Sequence, residues 1–202
     1  MKNILIILII ALTTCNIVII CIFNHRIDNY KLILNSLRPY ADQNLALRKN
    51  FLENIKHIGM QIPENVTLTD TDGLEYSIQS ICDIDTMPKL IVRFADNYCS
   101  ACVEYSVNVI KQLTTKRDDI EVIYIGNSHN INVFRSNIDV MDLKDEMVYN
   151  CENLNIDLEY SGFPYYIILD KNAKIKCCYI PTKHFDSFDL ENIEKLYDRL
   201  TE

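Results

Sequence analysis

Cys99 and Cys102 are separated by Ser100 and Ala101, and this Cys-Ser-Ala-Cys segment is the part of the chain best placed to do chemistry. Lys89 to Phe94 before it is a short, mostly apolar run suited to a buried strand. Val103, Val107, Ile110 and Leu113 after it mark one face of a helix. A cysteine between strand and helix lies at a helix start, where free N–H groups and the helix dipole favour the thiolate and lower a thiol pKa from its usual ~8.5. Cys99 is therefore expected to be the nucleophile. Cys102, one turn in, would be shielded yet near enough to close a disulfide with it. Two other uses of the pair compare poorly. A zinc site needs a second Cys or His pair at matching spacing, and His129 and His184 stand alone. A purely structural bridge closing so short a loop would constrain little of the unfolded chain. No metal or other cofactor is called for.

Composition narrows the remaining classes. The 202-residue chain is 49% hydrophobic, enough to bury a sizeable core, and its net charge is −8. An acidic chain without clustered Lys and Arg is unsuited to nucleic acid as its main partner. With only 4 glycines and neither GxGxxG nor GxxxxGK[ST], the phosphate-cradling loops are excluded. Of the 8 cysteines, Cys15 and Cys21 lie in the apolar N-terminus, while Cys82, Cys151, Cys177 and Cys178 are scattered. Adjacent strand residues point to opposite faces, so Cys177 and Cys178 cannot share one core. These four read first as small buried hydrophobes. A pairing of Cys177 or Cys178 with Cys82 or Cys151 stays open.

The elements that must hold the dithiol divide the chain into three parts. Residues 1–25 read as a membrane anchor: Ile4 to Phe23 is almost unbroken apolar sequence, and as a helix it would match the ~30 Å hydrocarbon core. No convincing signal-peptidase site follows, and a lipoprotein reading at Cys15 is weakened by Thr14 and by the apolar run continuing beyond it. The flanking charges, Lys2 against His25 and Arg26, barely discriminate orientation. The dithiol argues for a single-pass protein with its bulk on the extracytoplasmic, periplasmic side. Residues 26–58 read as a helical stalk that Pro39 should kink or open. Its apolar stripe is interrupted at Asn44 and Arg48, which favours a spacer over a stalk-mediated homodimer. Residues 59–202 read as one α/β domain.

Within that domain, Val66–Thr69 and Leu74–Ile78 around Asp72-Gly73 predict a hairpin. Ile120–Ile125 predicts a buried strand closed by Gly126, and Tyr165–Leu169 with Ala173–Tyr179 a second hairpin. Helices are expected over 130–138 and 144–154, and at the C-terminus, where Asp189 could cap the start. The result is a mixed sheet flanked by helices on both faces.

Leu90 to Cys102, with its strand, its aromatic Tyr98 and its Cys-x-x-Cys, resembles the thioredoxin superfamily, most nearly its membrane-anchored TlpA/ResA-like thiol:disulfide oxidoreductases. Gly162-Phe163-Pro164-Tyr165 before an apolar strand is similar to the family's cis-proline segment, and the resemblance covers roughly residues 59–200. It implies a thioredoxin-like fold and thiol–disulfide exchange with Cys99 and Cys102 as the catalytic pair. It also implies a cis Pro164, and a substrate surface of Tyr98, Phe163 and Pro164 in which the Phe163 backbone pairs with a substrate strand. The implied partners are a protein disulfide or dithiol and a redox partner protein. Departures are visible: Ser100-Ala101 stands where the family commonly has Pro, and Arg93 falls where thioredoxins carry a buried acid. A cation at 93 would either favour thiolate or point elsewhere. Glu104 is one position early for the family's post-dithiol glutamate. A peroxidase of the peroxiredoxin type is disfavoured by Val92 and Asp96, where its motif has Pro and Thr or Ser. The competing class is a non-catalytic thioredoxin-fold binding or assembly module using the same groove.

Overall fold

A computed structural model describes the backbone of residues 2–83, 87–183 and 186–201, and the side chains of residues 16–83, 87–183 and 188–200. The chain forms two compact units, residues 1–46 and 47–202. Every described residue of the first is helical. Helix α1, Lys2–His57, is continuous through Pro39, so of the kink or opening expected there the opening does not occur. On an exposed helix, water can satisfy the carbonyl left without its N–H partner. The anchor expected at 4–23 begins among residues whose side chains lie outside those described. Among the described residues, no helix is long and apolar enough to cross a membrane.

The second unit takes in the last turns of α1, which the sequence grouped with the stalk, and a seven-stranded sheet of order β2-β1-β5-β4-β3-β6-β7. The strands are β1 (Thr67–Thr69), β2 (Glu75–Ser77), β3 (Lys89–Arg93), β4 (Val122–Gly126), β5 (Met147–Asn150), β6 (Tyr165–Leu169) and β7 (Ile175–Tyr179). The helices of this unit are α2 (Ile78–Cys82), α3 (Ser100–Lys116), α4 (Ile131–Val140) and α5 (Asp186–Thr201), with a 3-10 helix at Asp157–Ser161. β3 runs parallel to β4 and antiparallel to β6, so the sheet is mixed. Alternation along β3 sends Leu90 and Val92 to one face, which α3, α4 and α5 cover, and Ile91 to the other, where α2 and the 3-10 helix pack. Cys177 and Cys178 divide between these faces in the same way.

Two expected elements differ. The segment 144–154 contains β5 instead of a helix, because Val148 and Tyr149 pair in parallel with the edge of β4, a partner outside the local sequence. Asp189 lies inside α5 rather than capping it, and it is fully buried.

The free edge of β7 is closed by side chains. Asn50 donates to the Ile180 carbonyl at 3.0 Å and accepts from its N–H at 2.5 Å, and Asn54 accepts from the Cys178 N–H at 2.7 Å. Four residues of helix rise ~6 Å and two residues of strand ~6.6 Å, so this spacing lets helix amides match the main chain of a strand. Gly59 and Met60 extend the pairing at Ile175. An edge covered in this way cannot recruit another strand.

Candidate active site

β3 ends at Arg93, and the chain turns through Phe94–Tyr98 to deliver Cys99 to the start of α3. The turn is tightened by a bond from the Tyr98 N–H to the Ala95 carbonyl at 3.0 Å. α3 forms because Val107, Ile110 and Leu113 bury one stripe against β3, and its hydrogen-bond ladder starts at Cys99. The Cys99 carbonyl accepts from Cys102 at 2.9 Å and from Val103 at 3.0 Å. Gly126, at the end of β4, is required beside this turn. A Cβ there would lie 2.8 Å from the Phe134 ring and 2.9 Å from the Phe94 ring.

The two sulfurs are unbridged, Cys99 exposed and Cys102 partly shielded. The Cys99 thiol is held below its ordinary value, first by the Cys102 thiol acting as hydrogen-bond donor, then by the amides of Cys102 and Ala101, and by the Lys183 charge. Cys102 is pushed the other way, by that same interaction, by partial burial and by the charge on Cys99. One sulfur is thus poised to ionise and attack while its neighbour keeps its proton.

Arg93 does not serve the dithiol. It lies on the opposite face of the sheet from α3, fully buried. Its Nε and Nη2 bind the two Glu159 carboxylate oxygens at 2.9 and 3.0 Å. The remaining donors go to the carbonyls of Gly126, Cys151 and Glu152. Glu159 also accepts from the Leu154 N–H and the Tyr165 hydroxyl, both at 3.1 Å. Tyr98 is tied to the same place: it is buried, with its hydroxyl on the Glu159 carbonyl at 3.2 Å.

Phe163 and Pro164 lead into β6 at the sheet end where the dithiol loop leaves β3, because Tyr165 pairs with Arg93 in antiparallel register. The cis peptide expected before Pro164 is corrected: there is no cis bond among the described residues, and the peptide is trans. Trans is the lower-energy isomer even for proline. Gly162, at φ 71°, supplies the reversal that brings the chain into β6. Nor is the Phe163 main chain free. The Ser161 hydroxyl accepts from its N–H at 3.3 Å and donates to its carbonyl at 3.1 Å, since the polar turn residue sits two positions before it. Phe163 is 44% exposed, with the Lys49 ammonium 5.0 Å from its ring centroid.

Beside the dithiol helix, an open cleft of about 700 Å³ runs between α3 and α4, lined by Tyr98, Val103, Val107, Val133 and Met141, with Glu104 among its polar groups. Among the described residues, no group of three or more His, Cys, Asp or Glu could hold a metal ion. Cys82, Cys151, Cys177 and Cys178 are all buried and unbridged. The sequence reading missed Glu159, Ser161 and Lys183. A cation within an apolar strand does signal that a buried acid must exist, which points towards Glu159 without choosing it among many acids. Nothing in the sequence marks Lys183.

No family model matches this chain, and no curated protein matches it in sequence. Its fold is nevertheless shared with solved structures. A protein described as thiol:disulfide interchange protein DsbE from Chlorobium tepidum aligns at a TM-score of 0.55 and 14% identity, over 72% of this chain and 98% of that one. A thiol:disulfide interchange protein from Bacteroides sp. aligns at 0.52 and 16%, over 70% and 90%. The thioredoxin domain of a thiol-disulfide oxidoreductase from Bacteroides vulgatus aligns at 0.51 and 13%, over 69% and 97%. At these identities the likeness is one of fold: the chain shares the thioredoxin-like architecture of these structures.

Proposed function

We propose that this protein carries out thiol–disulfide exchange on extracytoplasmic proteins, with Cys99 as nucleophile and Cys102 as resolving cysteine. The observation that carries the reading is the asymmetry of the pair: an exposed sulfur at the α3 start held below its usual pKa, and a shielded neighbour held above it. In the first step the Cys99 thiolate attacks one sulfur of a substrate disulfide. The Cys99–substrate bond forms, the substrate bond breaks, and the departing thiolate takes a proton. Cys102 then loses its proton and attacks the Cys99 sulfur, releasing the second substrate thiol. The protein is left with a Cys99–Cys102 disulfide, which a partner dithiol protein must reduce for another turnover. The cleft between α3 and α4 offers room beside Ser100 and Val103 for a substrate side chain.

The test is a Cys102→Ser variant, which can form the mixed disulfide but not resolve it. Thiol-reversible adducts should accumulate through Cys99 in cells and vanish in a C99S/C102S double variant. Their absence, with the dithiol reduced and accessible, would overturn the assignment and leave a binding module.

The apolar N-terminal run is read as a single-pass anchor in the cytoplasmic membrane, with residues 47–202 on the periplasmic or extracytoplasmic side, because a dithiol of this kind meets protein disulfides there. Alkaline phosphatase fused after Glu202 should be active. An inactive fusion paired with an active cytoplasmic reporter would reverse the orientation.

A further inference from the structure

The cleft between α3 and α4 opens beside the dithiol, since Tyr98, Ser100 and Val103 on its wall are chain neighbours of Cys99 and Cys102. Val103 and Val107 on α3, and Val133, Asn137 and Val140 on α4, recur at the three- and four-residue spacing of one helix face. α4 buries Phe134 and Ile138 in the core, yet its Val133 and Val140 stay 46% and 82% exposed along the cleft. Exposed apolar groups gathered in a concave, polar-rimmed surface mark a binding site. The charges of that rim are unevenly matched. Among the described residues lining it, Lys111 is the one cation, and it is committed. Its Nζ donates to the carbonyls of Met141 at 2.8 Å and Asp142 at 2.6 Å and lies 3.2 Å from the Asp142 Oδ2. Asp142 is balanced in this way, whereas Asp96 and Glu104 are not. Asp96 is held in place: its N–H donates to the Asn127 carbonyl at 3.1 Å, and its Oδ1 accepts from the Ser128 hydroxyl at 2.7 Å and the Asn137 amide at 2.8 Å. Among the described residues its Oδ2 has no hydrogen-bond partner, and the exposed Glu104 has neither a hydrogen bond nor an ion pair. Two carboxylates thus border an apolar cleft with no counter-charge from the chain itself.

We propose that this cleft binds the segment of a substrate protein that flanks its disulfide, and that it selects segments combining an apolar side chain with Lys or Arg. The proposal rests on the thiol-exchange reading for the role of its ligand, while the shape and charge of the cleft carry the chemistry of that ligand. From Ser100 to Lys111, α3 rises ~16.5 Å, a length that an extended chain covers in about five residues. The volume of about 700 Å³ suits such a segment better than a single side chain. The valines would take an apolar residue and the aliphatic stem of a neighbouring Lys or Arg, whose charged head would then reach Asp96 or Glu104. The same two carboxylates would repel an acidic segment, so selection works by attraction and by rejection together. The alternative route along Phe163 is closed, because Ser161 occupies both of its main-chain groups.

The experiment uses short labelled peptides with one cysteine, blocked as a methyl disulfide, beside Leu and either Lys, Gln or Glu residues. Binding to the full-length C99S/C102S chain, which cannot exchange, is read by fluorescence anisotropy. Exchange with the reduced, unaltered chain is followed in parallel by mass spectrometry. At low salt the Lys peptide should bind about three- to tenfold more tightly than the Glu peptide, the range expected of two solvent-exposed charge pairs. Exchange rates should follow the same order, and about 0.5 M salt should narrow the gap. Glu104→Gln should narrow it by about two- to fivefold, and Glu104→Lys should turn the preference towards the Glu peptide. Val133→Asn with Val140→Asn should weaken all the peptides together. Glu75→Gln, at an exposed acid on β2 at the far edge of the sheet, removes the same net charge and should leave the gap in place. Equal affinities for the Lys, Gln and Glu peptides would overturn the proposal. So would an E75Q effect as large as that of E104Q, which would assign the preference to the net charge of the chain. Exchange that proceeds equally with every peptide would overturn the selection and leave the exchange function standing. A binding preference that E104Q abolishes, in a chain that never exchanges with any peptide, would remove the exchange function and leave the cleft as a peptide site.

Discussion

Cys99 and Cys102 are one helical turn apart, yet their thiols are driven in opposite directions, first because the Cys102 thiol donates a hydrogen bond to the Cys99 sulfur, and then because Cys102 is partly buried at the start of α3. The same rule, that surroundings set the behaviour of a titratable group, explains Arg93. The last position of β3 is fully buried. Here a cation occupies it, and the chain answers with Glu159 in bidentate contact and with three carbonyls. Removing one partner should therefore cost far more than removing both. Arg93→Met alone leaves a buried carboxylate and is expected to destabilise by about 3–5 kcal/mol, whereas the R93M/E159L double variant should recover much of that loss. Urea unfolding of the two variants decides the matter, and equal losses would show that the ion pair is not the unit of stability.

The last turns of α1 act as a clasp on β7. Asn50 is buried and meets both main-chain groups of Ile180, so its amide replaces the hydrogen bonds that a neighbouring strand would otherwise supply. Asn50→Leu should destabilise the domain by about 1–3 kcal/mol, the usual consequence of leaving buried main-chain groups unpaired. It should also speed hydrogen exchange at the Ile180 and Cys178 amides, which a general loss of packing would not confine to that edge. On the other side of the sheet, β5 shows the same dependence on a partner. Its few residues, Met147–Asn150, become a strand only because β4 offers an unfilled edge.

For the molecule as a whole, the buried thiols set the alkaline limit of the reduced protein. Burial pushes Cys82 and Cys178 up to about 12 and Cys177 up to about 11, from an ordinary value of 9.0. These groups keep their protons in the folded state and release them on unfolding above pH ~9, so the unfolded chain binds fewer protons and stability falls as pH rises. The contribution is complete below the ordinary thiol value and is lost between about pH 9 and 12. Cys99 works in the opposite sense, since its lowered value makes the folded state the stronger acid. The expected outcome is a urea midpoint that declines steadily from pH 9 to 11 in reducing buffer. Replacing Cys82, Cys177 and Cys178 with Ala or Val should flatten that decline, and an undiminished slope would assign it to the buried tyrosines instead.

Local chemistry was readable wherever the determinant was local. The spacing of Cys99 and Cys102, the apolar run of β3, the stripe of α3 and the Asp72-Gly73 and Asp170-Lys171-Asn172 turns place the dithiol between strand and helix without reference to anything distant. Much of the element order follows from those pieces, though α2 and β5 do not. What the tertiary structure decided are the partners. Among them are Glu159 for Arg93, Asn50 for the edge of β7, and β4 for a segment that otherwise reads as helix. It also decided that Pro164 is trans and that Ser161 occupies the Phe163 main chain. The physical reason is common to the partner pairings. A hydrogen bond or ion pair between residues far apart in the chain depends on which groups burial brings within about 3 Å, and a linear sequence records the groups but not their distances.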